Sequence, residues 1–183
     1  RYPANPQSYY SIPWDVRRIG DGAFKNCKGL QHVNLSTVYP LTIEDYAFES
    51  AGLLELDIPA EVTSIGRSAF ASCNDLATLK FSDVGEKLTI ADGAFAFCCL
   101  QTVSLPARLE SLGAGVFKGC DQLTSIDVSS DNSSYASIDG VLFTKDLATL
   151  VAYPPGRTAP YVVPEGTCSI GDESLACNNS DNL

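Results

Sequence analysis

Ile58-Pro59-Ala60-Glu61-Val62-Thr63-Ser64-Ile65-Gly66-Arg67-Ser68-Ala69-Phe70-Ala71-Ser72-Cys73-Asn74-Asp75-Leu76 is a unit whose skeleton returns along the chain. The Ala69-Phe70 pair at its centre has counterparts at Ala23-Phe24, Ala47-Phe48, Ala94-Phe95 and the variant Val116-Phe117. Successive phenylalanines are 24, 22, 25 and 22 residues apart. A near-constant period of that size marks stacked supersecondary units rather than one irregular globule. The chain is therefore read as a coil of similar turns.

Three residues after the phenylalanine comes Cys27, Cys73, Cys98 or Cys120, with Ala51 in the second unit. A Leu-x-x-Leu-x-Leu segment follows, as in Leu30-x-x-Val33-x-Leu35 and Leu76-x-x-Leu79-x-Phe81. The units of Phe48 and Phe95 are one residue shorter, reaching Leu53 and Leu100 early. The segment ends in apolar-polar alternation, which puts the apolar side chains on one face of a short strand. Pro59 and Pro106 close two such strands, consistent with the ladder donor that proline lacks. Val62-Thr63-Ser64-Ile65 and Leu109-Glu110-Ser111-Leu112 read as a second strand per turn, after which Gly66 or Gly113 redirects the chain. Around Ala-Phe-x-x-Cys the pattern predicts a turn, or a short 3₁₀ or helical piece. No turn buries its apolar face alone, so the five phenylalanines are expected to form an internal column. Each would contribute roughly 1.5–3 kcal/mol of burial.

These spacings predict a mainly β solenoid of leucine-rich type, an array of about six to seven coils of 22–25 residues. It occupies residues 12–183, behind an N-terminal tail or cap at 1–11. Residues 138–160 read as a hairpin-like variant repeat turning at Lys145-Asp146, and residues 163–183 as an incomplete last repeat with Leu175 where phenylalanine is expected. An array ending in mid-coil is expected to leave an edge for a longer array or another element to cover.

The string Ile-Pro-x-x-Val-Thr-Ser-Ile-Gly-x-x-Ala-Phe-x-x-Cys-x-x-Leu over Ile58 to Leu76 closely resembles the repeat of the BspA-like leucine-rich repeat family. Gly140-Val141-Leu142-Phe143 and Tyr153-Pro154-Pro155-Gly156 are similar to a variant unit of that family, and the resemblance runs from Ile12 to Asp172. It implies the solenoid fold, no shared catalytic residues, and a place on the cell surface or outside the cell. It also implies binding to extracellular matrix or host proteins, since characterised members act as adhesins.

Composition narrows the function classes. With 12 Lys+Arg against 22 Asp+Glu the net charge is −10. That disfavours nucleic acid, whose binding is dominated by phosphate neutralisation, and anionic membrane surfaces. No apolar run has the length of a membrane span. Beginning at Arg1 without a leader-like segment, the chain is expected to be a mature or trimmed product.

The titratable residues do not read as a reaction centre. Four of the seven cysteines share one repeat position, where Ala51 also stands, so a small apolar group is what the position asks for and a buried, inert thiol ladder is expected. Coils sit only ~4.8 Å apart, which keeps a Cys73–Cys98 or Cys98–Cys120 disulfide within reach. Cys168 and Cys177, outside the ladder, are the better disulfide candidates, and an odd total leaves at least one thiol unpaired. Cys98-Cys99 lacks a second ligand pair at zinc spacing, and Asp21, Asp45, Asp92, Asp131 and Asp172 read as turn residues with local backbone bonds rather than calcium ligands. His32, the only histidine, occupies a solvent-facing strand position away from the thiols. Asn34, Asn132 and Asn178 begin glycosylation sequons, relevant only in a eukaryotic secretory setting. No catalytic residue, cofactor or metal is assigned.

The binding candidates are the outward positions of the Leu-x-x-Leu-x-Leu strands. They align into one column of His32, Glu55, Thr78, Thr102 and Ser125, continuing to Thr149, and another of Asn34, Asp57, Lys80, Ser104 and Asp127, continuing to Val151. The sequence reading is a non-enzymatic protein-interaction or adhesion module, with an accessory subunit of a larger assembly as the alternative.

Overall fold

The computed structural model describes residues 8–158 and 160–175. Those residues form a β-solenoid of about 7 turns without a helix. The first five coils alternate a first and a second short strand. In chain order these are β1 (Tyr9–Ser11), β2 (Arg18–Ile19), β3 (His32–Asn34), β4 (Leu41–Ile43), β5 (Glu55–Ile58), β6 (Val62–Ile65), β7 (Thr78–Phe81), β8 (Leu88–Ile90), β9 (Thr102–Leu105), β10 (Leu109–Leu112) and β11 (Ser125–Val128). The second strands form one continuous parallel sheet, β2-β4-β6-β8-β10.

The first strands behave differently. They pair as β1-β3, β5-β7 and β9-β11, and no ladder joins β3 to β5 or β7 to β9. The breaks fall where a short coil follows a long one. A chain that rounds the corner with one residue fewer does not hold ladder register with both neighbours, and it keeps the long coil that follows. Uneven unit length thus becomes a row of strand pairs separated by two seams.

Between second and first strand runs an arc that is neither 3₁₀ nor helical. Two residues per arc take positive φ: Gly22 and Asn26, Tyr46 and Ser50, Ser68 and Ser72, Gly93 and Phe97, Gly115 and Gly119. This alternation turns every second amide toward the next coil, as in Gly22 N–H to Asp45 O (3.0 Å), Phe24 N–H to Ala47 O (2.6 Å) and Asn26 N–H to Glu49 O (2.8 Å). The expected local bonds of the turn aspartates are also inter-coil: Asp45 Oδ1 accepts from Arg67 N–H at 2.7 Å and Asp92 Oδ1 from Ala114 N–H at 2.9 Å. A Cβ on Gly113 would lie 2.4 Å from that Asp92 oxygen, so the glycine is required for close approach.

The phenylalanine column exists. Phe24, Phe48, Phe70 and Phe95 stack at 4.8, 5.1 and 5.3 Å with ring planes within 3°, and Phe117 follows at 6.2 Å. Phe48, Phe70 and Phe95 are fully buried.

The insertion after Phe81 is fixed by an arginine. Arg108 is buried, and its guanidinium donates to Ser82 O, Val62 O, Glu86 O and Pro59 O at 2.7–3.1 Å. Asn132, more deeply buried, donates to Pro106 O and Leu109 O and accepts from Ser134 and Tyr135 N–H. Its amide is thus committed inside the fold and is not open as a sequon.

Beyond β11 the chain forms β12 (Tyr135–Ile138), β13 (Val141–Thr144), β14 (Thr149–Ala152) and β15 (Ser169–Ile170) in one sheet. The hairpin expected at Lys145-Asp146 joins β13 and β14. A second hairpin, β12–β13, turns through Asp139 (φ 51) and Gly140 (φ 76), the paired left-handed geometry of a tight two-residue turn. β14 pairs with β13 and β15, so Thr149 and Val151 do not continue the columns of β11.

Candidate functional site

The ten outward candidates stand on the first strands, and the register aligns them. Glu55 faces Thr78 and Asp57 faces Lys80 across β5–β7; Thr102 faces Ser125 and Ser104 faces Asp127 across β9–β11. His32 and Asn34 lie on β3 opposite Tyr9 and Ser11. His32 Nδ1 is 3.3 Å from Glu55 Oε1, an exposed pair on the strand surface and away from the thiols.

Two hollows open in this face, and both sit at the seams. One, about 340 Å³, is lined by His32, Asn34, Glu55 and Asp57 at β3/β5. The other, about 690 Å³, is lined by Thr78, Lys80, Thr102, Ser104 and Asp127 at β7/β9, with Asp83 of the insertion and Pro106 at its end. Among the described residues, Lys80 and Asp57 carry neither an ion pair nor a side-chain hydrogen bond. Asp83 Oδ1 accepts from Ala107 N–H at 2.9 Å.

The seams differ at one corner. Between the first two long and short coils, Gly52 N–H donates to Cys27 O at 3.2 Å and Leu54 N–H to Gln31 O at 3.0 Å. A Cβ on Gly52 would lie 2.0 Å from Lys28 O, so only glycine permits that approach. Cys99 occupies the equivalent corner of the Phe95 unit. The matching bonds, Cys99 N–H to Cys73 O and Gln101 N–H to Ala77 O, do not form among the described residues. The wider hollow lies at this seam.

The ladder thiols are closed off. Cys73, Cys98 and Cys120 are buried and free, and each Sγ donates to a carbonyl one coil back: Phe48 O at 3.2 Å, Phe70 O at 3.3 Å and Phe95 O at 3.2 Å. Burial pushes the Cys73 and Cys120 thiols up to about 12 and the Cys98 thiol well above its ordinary value. Cys27, in the first coil, is only half-buried, because fewer turns cover it. Cys168 is free and exposed; its candidate partner Cys177 lies outside the described residues, as does the Asn178 sequon. Among the described residues no group of His, Cys, Asp and Glu side chains is arranged to hold a metal ion, and no helix is long and apolar enough to cross a membrane.

The BspA-type leucine-rich repeat region matches residues 4–124 and 88–149, in 6 copies. No curated protein sequence matches the chain. Among solved structures it is similar to the pneumococcal vaccine antigen PcpA, at 32% identity and a TM-score of 0.85, over 92% of this chain and 42% of that one. A leucine-rich cell surface protein of Faecalibacterium prausnitzii is similar at 30% identity and a TM-score of 0.70, over 83% of this chain and 40% of that one. A leucine-rich repeat protein of Eubacterium ventriosum shares the fold, at 19% identity and a TM-score of 0.60, over 79% of this chain and 44% of that one. The chain spans less than half the length of each.

Proposed function

Because the chain belongs to the BspA-type leucine-rich repeat family, we propose that it is a non-enzymatic protein-binding module of the cell surface or extracellular space, engaging its partner through the first-strand face. The observation that carries this reading is the register of β5–β7 and β9–β11. It lines outward polar side chains into columns, with hollows at the seams between the strand pairs, while the ladder thiols of Cys73, Cys98 and Cys120 are sealed in the core. Extended solenoid surfaces bind in this way because every coil adds contact area at a fixed spacing. The surface location draws support from two similar structures, one a vaccine antigen and the other a cell surface protein. A matrix or host protein is the expected partner class.

The test is saturable binding. The purified chain is immobilised, exposed to matrix and serum proteins, and each captured protein is purified and titrated back. Saturable binding of one of them, competed by soluble chain, supports the reading. Absence of any saturable partner overturns it.

A further inference from the structure

Resting on that reading, we propose that the β7/β9 seam is the subsite that takes an extended, cationic polypeptide segment of the partner, and that Cys99 holds it open. The hollow has the size of an ordinary ligand pocket, about 690 Å³, and it coincides with the interruption of the strand ladder. Thr78, Thr102 and Ser104 line it with hydroxyls that both donate and accept, matching the N–H and C=O groups of a peptide backbone.

Charge selects the occupant. Asp83 and Asp127 line the hollow, and Asp57 stands opposite Lys80 across β5–β7 at its edge, all three exposed. The cations near them are Lys80 and the buried Arg108, whose guanidinium is already committed to backbone carbonyls. Lysine or arginine side chains of a bound segment would meet Asp57 and Asp127, one coil before and two coils after Lys80. An acidic segment would face three carboxylates within a Debye length. The corner geometry supplies the second leg. The ladder is interrupted at both seams, but the glycine at the first permits two corner hydrogen bonds, whereas the side chain of Cys99 blocks that approach at the second, so the corner beside the larger hollow stays open. Cys99 acts as a positioning residue through its bulk; its thiol chemistry plays no part.

The experiment measures fluorescence anisotropy with two labelled ten-residue probes, one alternating lysine and serine, the other alternating glutamate and serine, and with a neutral oligosaccharide as competitor. The lysine probe should bind, with affinity lowered at least fivefold by Asp57→Asn with Asp127→Asn and by Cys99→Gly. Asp15→Asn with Asp172→Asn removes the same charge at other exposed positions and should leave binding unchanged. Circular dichroism melts establish that all variants are folded. Equal loss in both aspartate pairs, preference for the glutamate probe, displacement by the oligosaccharide, or full binding by Cys99→Gly would each overturn the proposal. The broader reading fails separately: it falls if Lys80→Glu with Thr102→Arg leaves capture of the protein partner intact. If that pair abolishes capture while the Asp57, Asp127 and Cys99 variants retain full probe binding, only the seam assignment is lost.

Discussion

The thiol of Cys98 lies 3.3 Å from the carbonyl oxygen of Phe70 in the preceding coil, and Cys73 and Cys120 repeat the contact with Phe48 and Phe95. Each sulfur therefore donates its proton to the backbone of the coil before it, at a residue whose ring belongs to the stacked column. A thiol reagent added to the folded protein should label Cys99 and Cys168, which are exposed, and spare Cys73, Cys98 and Cys120 until denaturant is added. Rapid labelling of all the cysteines in buffer would contradict the ladder.

Burial also gives the thiols a pH signature. Their folded pKa values lie above the unfolded value of 9.0, so the folded state holds these protons more tightly. The stabilisation is complete below pH 9 and is lost as pH rises from 9 toward 12. Each thiol should steepen the decline of unfolding free energy by about 1.4 kcal/mol per pH unit in that window. Urea titrations at pH 8, 9.5 and 10.5 check it: Cys73→Ala should be flatter than the parent, and identical slopes would contradict it.

Phe70→Ala should cost roughly 3–5 kcal/mol, because the ring contacts Phe48 on one side and Phe95 on the other and its loss opens a cavity at two interfaces. A change below about 1 kcal/mol in the denaturant midpoint would remove the column as the main source of stability.

Arg108→Ala should destabilise by about 2–4 kcal/mol, since it strands carbonyls of Pro59, Val62, Ser82 and Glu86 that are now paired. Arg108→Lys should recover only part, because an ammonium lacks the planar fork that reaches all four. Hydrogen exchange across residues 82–87 should accelerate in both variants; full protection in Arg108→Lys would show that charge alone suffices.

The period of the phenylalanines made the coil, its two strands and the buried column legible, because stacking repeats whatever one unit does. Features set by differences between neighbouring coils were harder to read. The short units of Phe48 and Phe95 are visible in the sequence, but their consequence, a ladder broken at both seams, depends on how the corners of neighbouring coils approach; Gly52 against Cys99 distinguishes only the corner bonds of the two seams. Arg108 carries no signal of burial in the repeat pattern; the insertion at 82–87, whose Ser82 and Glu86 carbonyls it binds, is what closes over it. Asp139-Gly140 carries the sequence signal of a hairpin, a turn separate from the one at Lys145-Asp146. The inter-coil bonds of the turn aspartates are not legible in the sequence, which shows neighbours along the chain and not across coils.

Affinity of the captured partner for the double variant Lys80→Glu with Thr102→Arg is the most direct test of the claim that the first-strand face binds. Both side chains are exposed on β7 and β9, at the lip of the larger hollow, and neither supports the core. Binding should weaken at least tenfold, equivalent to about 1.4 kcal/mol, because the arginine placed at position 102 fills the hollow and meets a cationic segment with like charge, outweighing the attraction added at position 80. The melting temperature should be nearly unchanged. Undiminished affinity in the folded double variant would contradict it and place the interface on another surface of the solenoid.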